Sequence, residues 1–363
     1  MLLYIHIPFC HRICPYCSFY KHTPGGTPIG KFISALGVEA NSRRHEMGDI
    51  RSIYFGGGTP SMLSPNNLIQ LFSSLKNAIN FSHVKEITLE ANPATFNESK
   101  AALIRDLGVT RVSLGIQSFS PHVLRILGRE HSPSQADAAV EILQSVGFPS
   151  INIDLMFSIP GQSKRDWEDT LRHATNLNPD HISAYNLTYE EDTVFFESLR
   201  NGEMRESEDT DAEYFHLAEE LLGAAGFDHY ETSNYSKPGH HSSHNMGYWR
   251  GEDYIGLGPS AVSTVNRIRS RNVPDTVRYI SQIRSLGHAK SECEELDDEA
   301  TRLERIALGL RTKEGISLDL LDVPSRQRAR NFVDEKLAVI SENQFVLVNN
   351  GRALVDPIAA ELI

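Results

Sequence analysis

Cysteine is scarce in this chain: there are four in 363 residues, and three of them, Cys10, Cys14 and Cys17, crowd into the stretch CHRICPYC. The fourth, Cys293, lies far away in the acidic run KSECEELDDEA and reads as an incidental thiol. That distribution argues against a disulfide scaffold, which spreads paired cysteines through a small secreted domain. Long apolar runs are also missing. Without a stretch of about 18 apolar residues, nothing in the sequence reads as a membrane span. The apolar start MLLYIHIPFC is too short and too uncharged for a secretory signal, and it reads as a strand. Positive charge is in deficit, 35 Lys and Arg against 47 Asp and Glu for a formal net charge of -12. A surface of that sign is poorly suited to a nucleic-acid backbone. Solubility in a cytoplasm is the plainer meaning of the acidity.

What the chain does contain is alternation. Short β-rich runs occur at LLYIHI, IRSIYF, EITLEAN, RVSLGIQ, INIDLMF and HISAYNL. Segments with helical spacing of apolar residues lie between or after them, among them NNLIQLFSSLKNAI, QADAAVEILQSVG and AEYFHLAEELLGAAG. Strand–helix alternation implies βα units on a parallel sheet. Six units fall short of the eight that close a TIM barrel. The expectation is an α/β fold, an open (β/α)6 TIM-like barrel over residues 1–228 with its functional loops at the strand C-terminal ends. Residues 229–274, rich in Gly, Ser, His and aromatics, read as a weakly periodic connecting segment. Residues 275–363 read as a smaller helical, winged-helix-like α+β domain, with Asn350-Gly351 as a hairpin-turn signal between a strand and an apolar helix. That domain is acidic, so packing or substrate covering is preferred to DNA binding.

The spacing C-x3-C-x2-C carries the sharpest chemistry. An odd cluster of thiols in a chain with no secretory signal points to metal in a reducing interior. Structural zinc takes four closed ligands, and an ordinary iron–sulfur cluster takes four thiolates. Three thiolates with no fourth nearby suggest a cluster with one metal corner left open.

YIHIPFCHRICPYC resembles the cluster loop of the radical S-adenosylmethionine (SAM) enzymes. The resemblance implies a [4Fe-4S] cluster held by Cys10, Cys14 and Cys17, with the fourth iron chelated by the amino and carboxylate groups of SAM. Electron transfer into the sulfonium then releases a 5'-deoxyadenosyl radical. It also implies SAM contacts from later strand ends. Gly56, Gly57, Gly58 and Thr59 in FGGGTPS offer close backbone approach, Glu90 can accept from ribose hydroxyls, and Arg129 can pair with the SAM carboxylate. Gln117, Asp154, Tyr4 and Tyr16 complete the expected set. Each has an ordinary reading as a turn, a capping polar residue, a surface cation or a packed ring, and it is their coincidence at successive strand ends that raises them together.

YIHIPFC, FGGGTPS, LEANP, GIQSFS, NIDLMFSIPGQ and YETSNYSKPG narrow the resemblance to the oxygen-independent coproporphyrinogen III oxidase family, over nearly the whole chain and loosest after about residue 270. That family holds the oxidase and a sister group of haem chaperones, HemW. Phe19 stands where the oxidase pattern has a further cysteine, and Tyr4 already lies in the first strand, where the oxidase has an N-terminal extension. HNMGYW, His244 to Trp249, resembles the H-N-x-x-Y-W motif of HemW. The resemblance therefore implies haem binding and its transfer to acceptor haemoproteins, respiratory or other. The alternative is an oxidase that decarboxylates coproporphyrinogen III by 5'-deoxyadenosyl radical chemistry. His244 is the candidate haem ligand, with Tyr248 and Trp249 as walls and Arg250 near a propionate; its bland counterpart is a hydrogen-bonded histidine at a domain junction. His240 and His241 read as parts of a polar loop, and His6 and His11 as structural.

Overall fold

The computed structural model describes residues 1–363. Its frame is a parallel run of strands β1 (Leu2–Ile7), β2 (Ser52–Gly57), β3 (Glu86–Ala91), β4 (Arg111–Gln117), β5 (Ser150–Phe157) and β6 (His181–Asn186), paired in chain order. Each of the six β-rich runs of the sequence falls on one of them. Alternation works here because the outward residues of each strand pack under helices while the inward ones face the barrel interior. The outer layer comes from helices such as Pro65–Lys76, Pro133–Val146 and Lys164–Asn176. The last two start at capping boxes in which Ser132 and Ser163 pair with Gln135 and Asp166, so orphan N–H groups at both helix starts are satisfied.

The barrel stays open because β6 does not return to β1. It pairs instead with β8 (Asn234–Ser236), antiparallel, which pairs with β7 (Asp228–Glu231). On the other side β1 pairs in parallel with β9 (Tyr254–Leu257), and β10 (Val262–Val265), β11 (Ile268–Asn272) and β12 (Lys290–Glu295) extend the sheet antiparallel. The main sheet thus runs past both expected boundaries, 228 and 274. The segment read as weakly periodic is built of regular elements. They are only a few residues long, shorter than the window over which periodicity is legible.

A second core lies beyond Asp298, where helices Asp298–Gly309, Val323–Asp334 and Val355–Leu362 surround a small antiparallel sheet. Its strands are β13 (Ile316–Ser317), β14 (Ala338–Ser341) and β15 (Gln344–Leu347), in the order β13-β15-β14. The hairpin turn is at Glu342 and Asn343, both at positive φ, 49° and 68°. Asn349–Gly351 forms instead a single 3-10 turn that leads from β15 into the last helix. The small unit docks on the flank of the barrel: Thr232 N donates to the Arg311 carbonyl at 2.8 Å, and Arg250 pairs with Glu314.

Candidate functional site

The parallel strands all end on one side, and there the backbone ladder between β1 and β2 continues into the cysteine loop. Gly58 N donates to the Ile7 carbonyl and Thr59 N to that of Phe9, both at 2.8 Å. The loop closes on itself where Cys10 N donates to the His22 carbonyl at 3.0 Å and His22 N to that of Pro8 at 2.8 Å. Cys14 and Cys17 share one turn, closed by a 3.3 Å bond from Cys17 N to the Cys14 carbonyl. Two glycines permit this crowding. Gly57 sits at φ +104°, and a Cβ there would lie 2.3 Å from the His6 ring. A Cβ on Gly58 would lie 2.6 Å from the Phe9 carbonyl oxygen.

One cavity of ≈ 500 Å³ spreads over these strand ends, and Cys10, Cys14 and Cys17 all line it. Of the residues expected to hold SAM, Tyr16, Gly57, Gly58, Thr59, Glu90, Gln117, Arg129 and Asp154 line the same cavity. They arrive from four different strand ends and two loops, as convergence above an open barrel requires. Tyr4 does not reach the cavity wall: its hydroxyl bonds His6 Nδ1 at 3.0 Å and its ring lies against Tyr54. Gly56 also lies behind the wall, facing Tyr54 and Glu90.

The polar groups are held by partners from neighbouring strands. Glu90 accepts from the Tyr54 hydroxyl at 2.8 Å and from Gly57 N at 3.1 Å. Burial, with Asp154 nearby, lifts its pKa to about 7 against those two bonds. Asp154 accepts from Ser113 Oγ at 3.0 Å and Asn152 Nδ2 at 2.7 Å, and burial raises its pKa as well. Gln117 ends β4 at a register shift, with φ +70° and its amide folded over Gly115. Arg129 donates to Cys14 Sγ at 3.7 Å and to the Gly115 carbonyl, while its Nε is buried without a partner.

No three Cys, His, Asp or Glu side chains converge closely enough to hold a single ion. Three thiols spread around a shared cavity fit a larger body, such as an iron–sulfur cluster whose irons stand apart. Thr59 Oγ1 donates to Cys10 Sγ at 3.6 Å, and the Arg129 guanidinium stands beside Cys14, so the loop is prepared for negative sulfur. Burial raises the thiol pKa of Cys10 and of Cys17, so loading a metal must displace their protons.

Tyr54, Ser113, Met156 and Tyr185 also line the cavity. No motif in the sequence marks Tyr54, whose place in the wall is set by its hydroxyl bond to Glu90. The cavity takes all its residues from between Cys10 and Thr188, so the C-terminal unit contributes none of its lining.

His244 lies at the opposite end of the barrel. Helix Ser243–Trp249 plugs the strand starts: Glu86, first in β3, accepts from Ser243 N at 2.9 Å and His244 N at 3.0 Å. His244 Nδ1 bonds Ser52 Oγ, first in β2, at 2.9 Å, and Gly247 is pressed against Leu2 of β1. The length of β2, roughly 16 Å at its rise per residue, separates this helix from the cysteine loop. The His244 ring is 1% exposed and its Nε2 is enclosed without a partner. An axial bond from His244 to haem would require the plug to leave its seat. Trp249 is covered by the Arg311 guanidinium, and Arg250 is paired with Glu314 rather than free for a propionate. His240 approaches Ser150, and His241 stacks on Tyr230 and bonds Asp228, so the three histidines of this stretch point to different partners.

Burial holds His244 neutral, with its pKa pushed down to about 3. Against an unfolded value near 6.5, the folded chain binds fewer protons than the unfolded one between those limits. Stability is therefore lost as pH falls through that window. Urea unfolding at pH 7.5 and pH 5 should show a larger loss for wild type than for His244→Leu; equal losses would contradict a buried neutral imidazole.

The radical SAM superfamily pattern matches residues 4–174. The haem chaperone HemW of Lactococcus lactis is 34% identical over 348 residues, 96% of this chain and 90% of that one. The Escherichia coli haem chaperone HemW is 39% identical over 71% of this chain and 68% of its own length. Among solved structures, coproporphyrinogen III oxidase (HemN) from Escherichia coli, a radical SAM enzyme, superposes with a TM-score of 0.85 over 99% of this chain and 89% of its own, at 22% identity. That last likeness establishes the shared fold, a radical SAM partial barrel. No helix is long and apolar enough to cross a membrane.

Proposed function

This chain belongs to the HemW family of haem chaperones within the radical SAM superfamily, and from that premise we propose that it binds haem and delivers it to acceptor haemoproteins. The observation that carries the reading is likeness to a named haem chaperone over nearly the full length of both chains. The likeness to the oxidase is confined to the fold. Phe19, 67% exposed at the cavity where the oxidase pattern has a further cysteine, agrees with it.

In this reading Cys10, Cys14 and Cys17 hold a [4Fe-4S] cluster, and Gly57, Gly58, Thr59, Glu90, Gln117, Arg129, Asp154 and Tyr16 surround SAM. When bound, that pair supplies one-electron chemistry. The chain's part is positional: Arg129 balances thiolate charge, Gly57 and Gly58 open their backbone to the ligand, and Glu90 offers a hydrogen-bond acceptor. Because the Glu90 pKa stands at about 7, acceptance from ribose hydroxyls weakens as pH falls below that value. SAM affinity measured by calorimetry should therefore drop between pH 8 and pH 6. Glu90→Ala should bind SAM weakly at both pH values with iron content unchanged. Equal SAM affinity in wild type and Glu90→Ala would remove Glu90 from the site.

The test of function is an anaerobic incubation of the reconstituted protein with SAM, reductant and coproporphyrinogen III, run beside a hemin titration. Hemin should be retained, and protoporphyrinogen IX should stay at background. Reproducible conversion with the cluster intact would favour the oxidase reading instead.

A further inference from the structure

Resting on the haem-carrying reading, we propose that haem docks in a groove on the outer side of the cysteine loop, its propionates held by Arg12, Lys21 and Arg125 and its ring edge laid on Ile13, Ile126 and Val194. The groove, ≈ 380 Å³, lies between the loop and the start of helix Val194–Arg200; Arg12, Cys14, Cys17, Lys21 and Gly128 line both it and the main cavity, whereas Ile13, Arg125, Ile126 and Val194 belong to the groove alone. Its charge is opposite to that of the molecule. Three cations and a single anion, Asp192, line it in a chain whose formal net charge is -12. Arg12 and Arg125 make no side-chain ion pair, and Lys21 Nζ is engaged only by the neutral Cys17 carbonyl.

The same groove leaves large apolar side chains in solvent, Ile13 at 49% exposed and Val194 at 62%. Free cations beside uncovered aliphatic groups suit a flat apolar ligand that carries carboxylates at one edge. The groove walls are fixed rather than loose. Phe195 N donates to the Pro15 carbonyl at 3.2 Å, the Tyr16 and Phe195 rings stand 6.2 Å apart, and Gly128 meets the Pro15 ring so closely that a Cβ there would lie 3.0 Å from its Cδ. The main cavity, at ≈ 500 Å³, is of the size that one cofactor fills, so a second bulky ligand needs surface beyond it, which the groove adds at Ile13, Arg125, Ile126 and Val194. The buried imidazole at the far end of the barrel offers none.

The experiment is an anaerobic hemin titration of the reconstituted full chain, followed by Soret absorption, on wild type, on the double variant Arg125→Glu/Val194→Asp and on His244→Ala. Arg125 and Val194 lie outside the main cavity, so iron content and SAM binding serve as the folding control. The double variant should bind hemin about tenfold more weakly, since two attractive contacts become repulsive or polar. Haem dimethyl ester, which lacks free propionates, should bind wild type more weakly than hemin does, and the double variant should discriminate less between the two. His244→Ala should keep wild-type hemin affinity. Unchanged hemin affinity in the double variant overturns the groove, as does loss of binding in a folded His244→Ala. If wild type itself binds no hemin, the chaperone reading fails and this inference goes with it.

Discussion

Replacing Cys10, Cys14 or Cys17 with alanine is expected to strip the chain of its iron, from about four per chain to near zero in anaerobic preparations, while Cys293→Ala retains it. The asymmetry follows from placement. The three loop thiols line one cavity at the parallel strand ends, and with three protein ligands there is no spare thiolate to take over from a missing one. Cys293 is exposed on β12, paired to Ser270 of β11 on the antiparallel margin of the sheet. Loss of Cys14 should be the most disruptive locally, because the Arg129 guanidinium then faces no sulfur while its Nε remains unpartnered. Iron and sulfide assays on the four single variants decide the matter. Iron that survives in any of the three loop variants, or disappears from Cys293→Ala, would contradict the assignment.

The second large effect is expected from one methyl group. In Gly58→Ala the new Cβ would stand 2.6 Å from the Phe9 carbonyl oxygen and 2.8 Å from that of Ile7, both backbone atoms that cannot rotate away. The end of β2 must then separate from the cysteine loop, breaking the bonds that Gly58 N and Thr59 N make to β1 and to Phe9. Overpacking of this kind costs about 1–3 kcal/mol, and here the strain falls on the junction that positions both Cys10 and the SAM-facing backbone. SAM affinity should fall by at least about tenfold, with a lower unfolding midpoint. Gly26→Ala, further along the connection that carries the cysteines, meets nothing within 4 Å and should change neither. Calorimetric SAM titrations of the two variants side by side provide the check, and wild-type affinity in Gly58→Ala would contradict the close-approach argument.

The strands and the cysteine loop were legible because their signals are local. β1 to β6 are apolar runs of at least six residues separated by helical periodicity, and C-x3-C-x2-C is contiguous in the chain. Glu90, Gln117 and Asp154 were legible for a related reason: strand ends in a βα alternation all reach the same rim, so position along the chain translates into position in space. What sequence could not supply was direction. Tyr4 and Tyr54 both sit on predicted strands, yet only Tyr54 lines the cavity, while Tyr4 turns to His6. β9 was hidden in YIGLG, too short and glycine-rich for a periodic signal, although it pairs with β1 over its whole length. His244 was the hardest residue to place. HNMGYW reads in one dimension either as a haem ligand with aromatic walls or as a hydrogen-bonded histidine at a junction, and three contacts distant in sequence, to Ser52, Glu86 and Leu2, turn it into the floor of the barrel. The groove beside Arg125 and Val194 was not legible, since only one of its walls is the cysteine loop and the others come from two distant segments without a motif.

Electron paramagnetic resonance of the reduced, reconstituted protein with and without SAM tests the central claim most directly. If three thiolates hold the cluster and its remaining iron faces the cavity lined by Gly57, Glu90 and Arg129, adding SAM must change the cluster spectrum, and Gly58→Ala should weaken that change. A spectrum indifferent to saturating SAM, or a preparation that holds zinc and no iron, would contradict it.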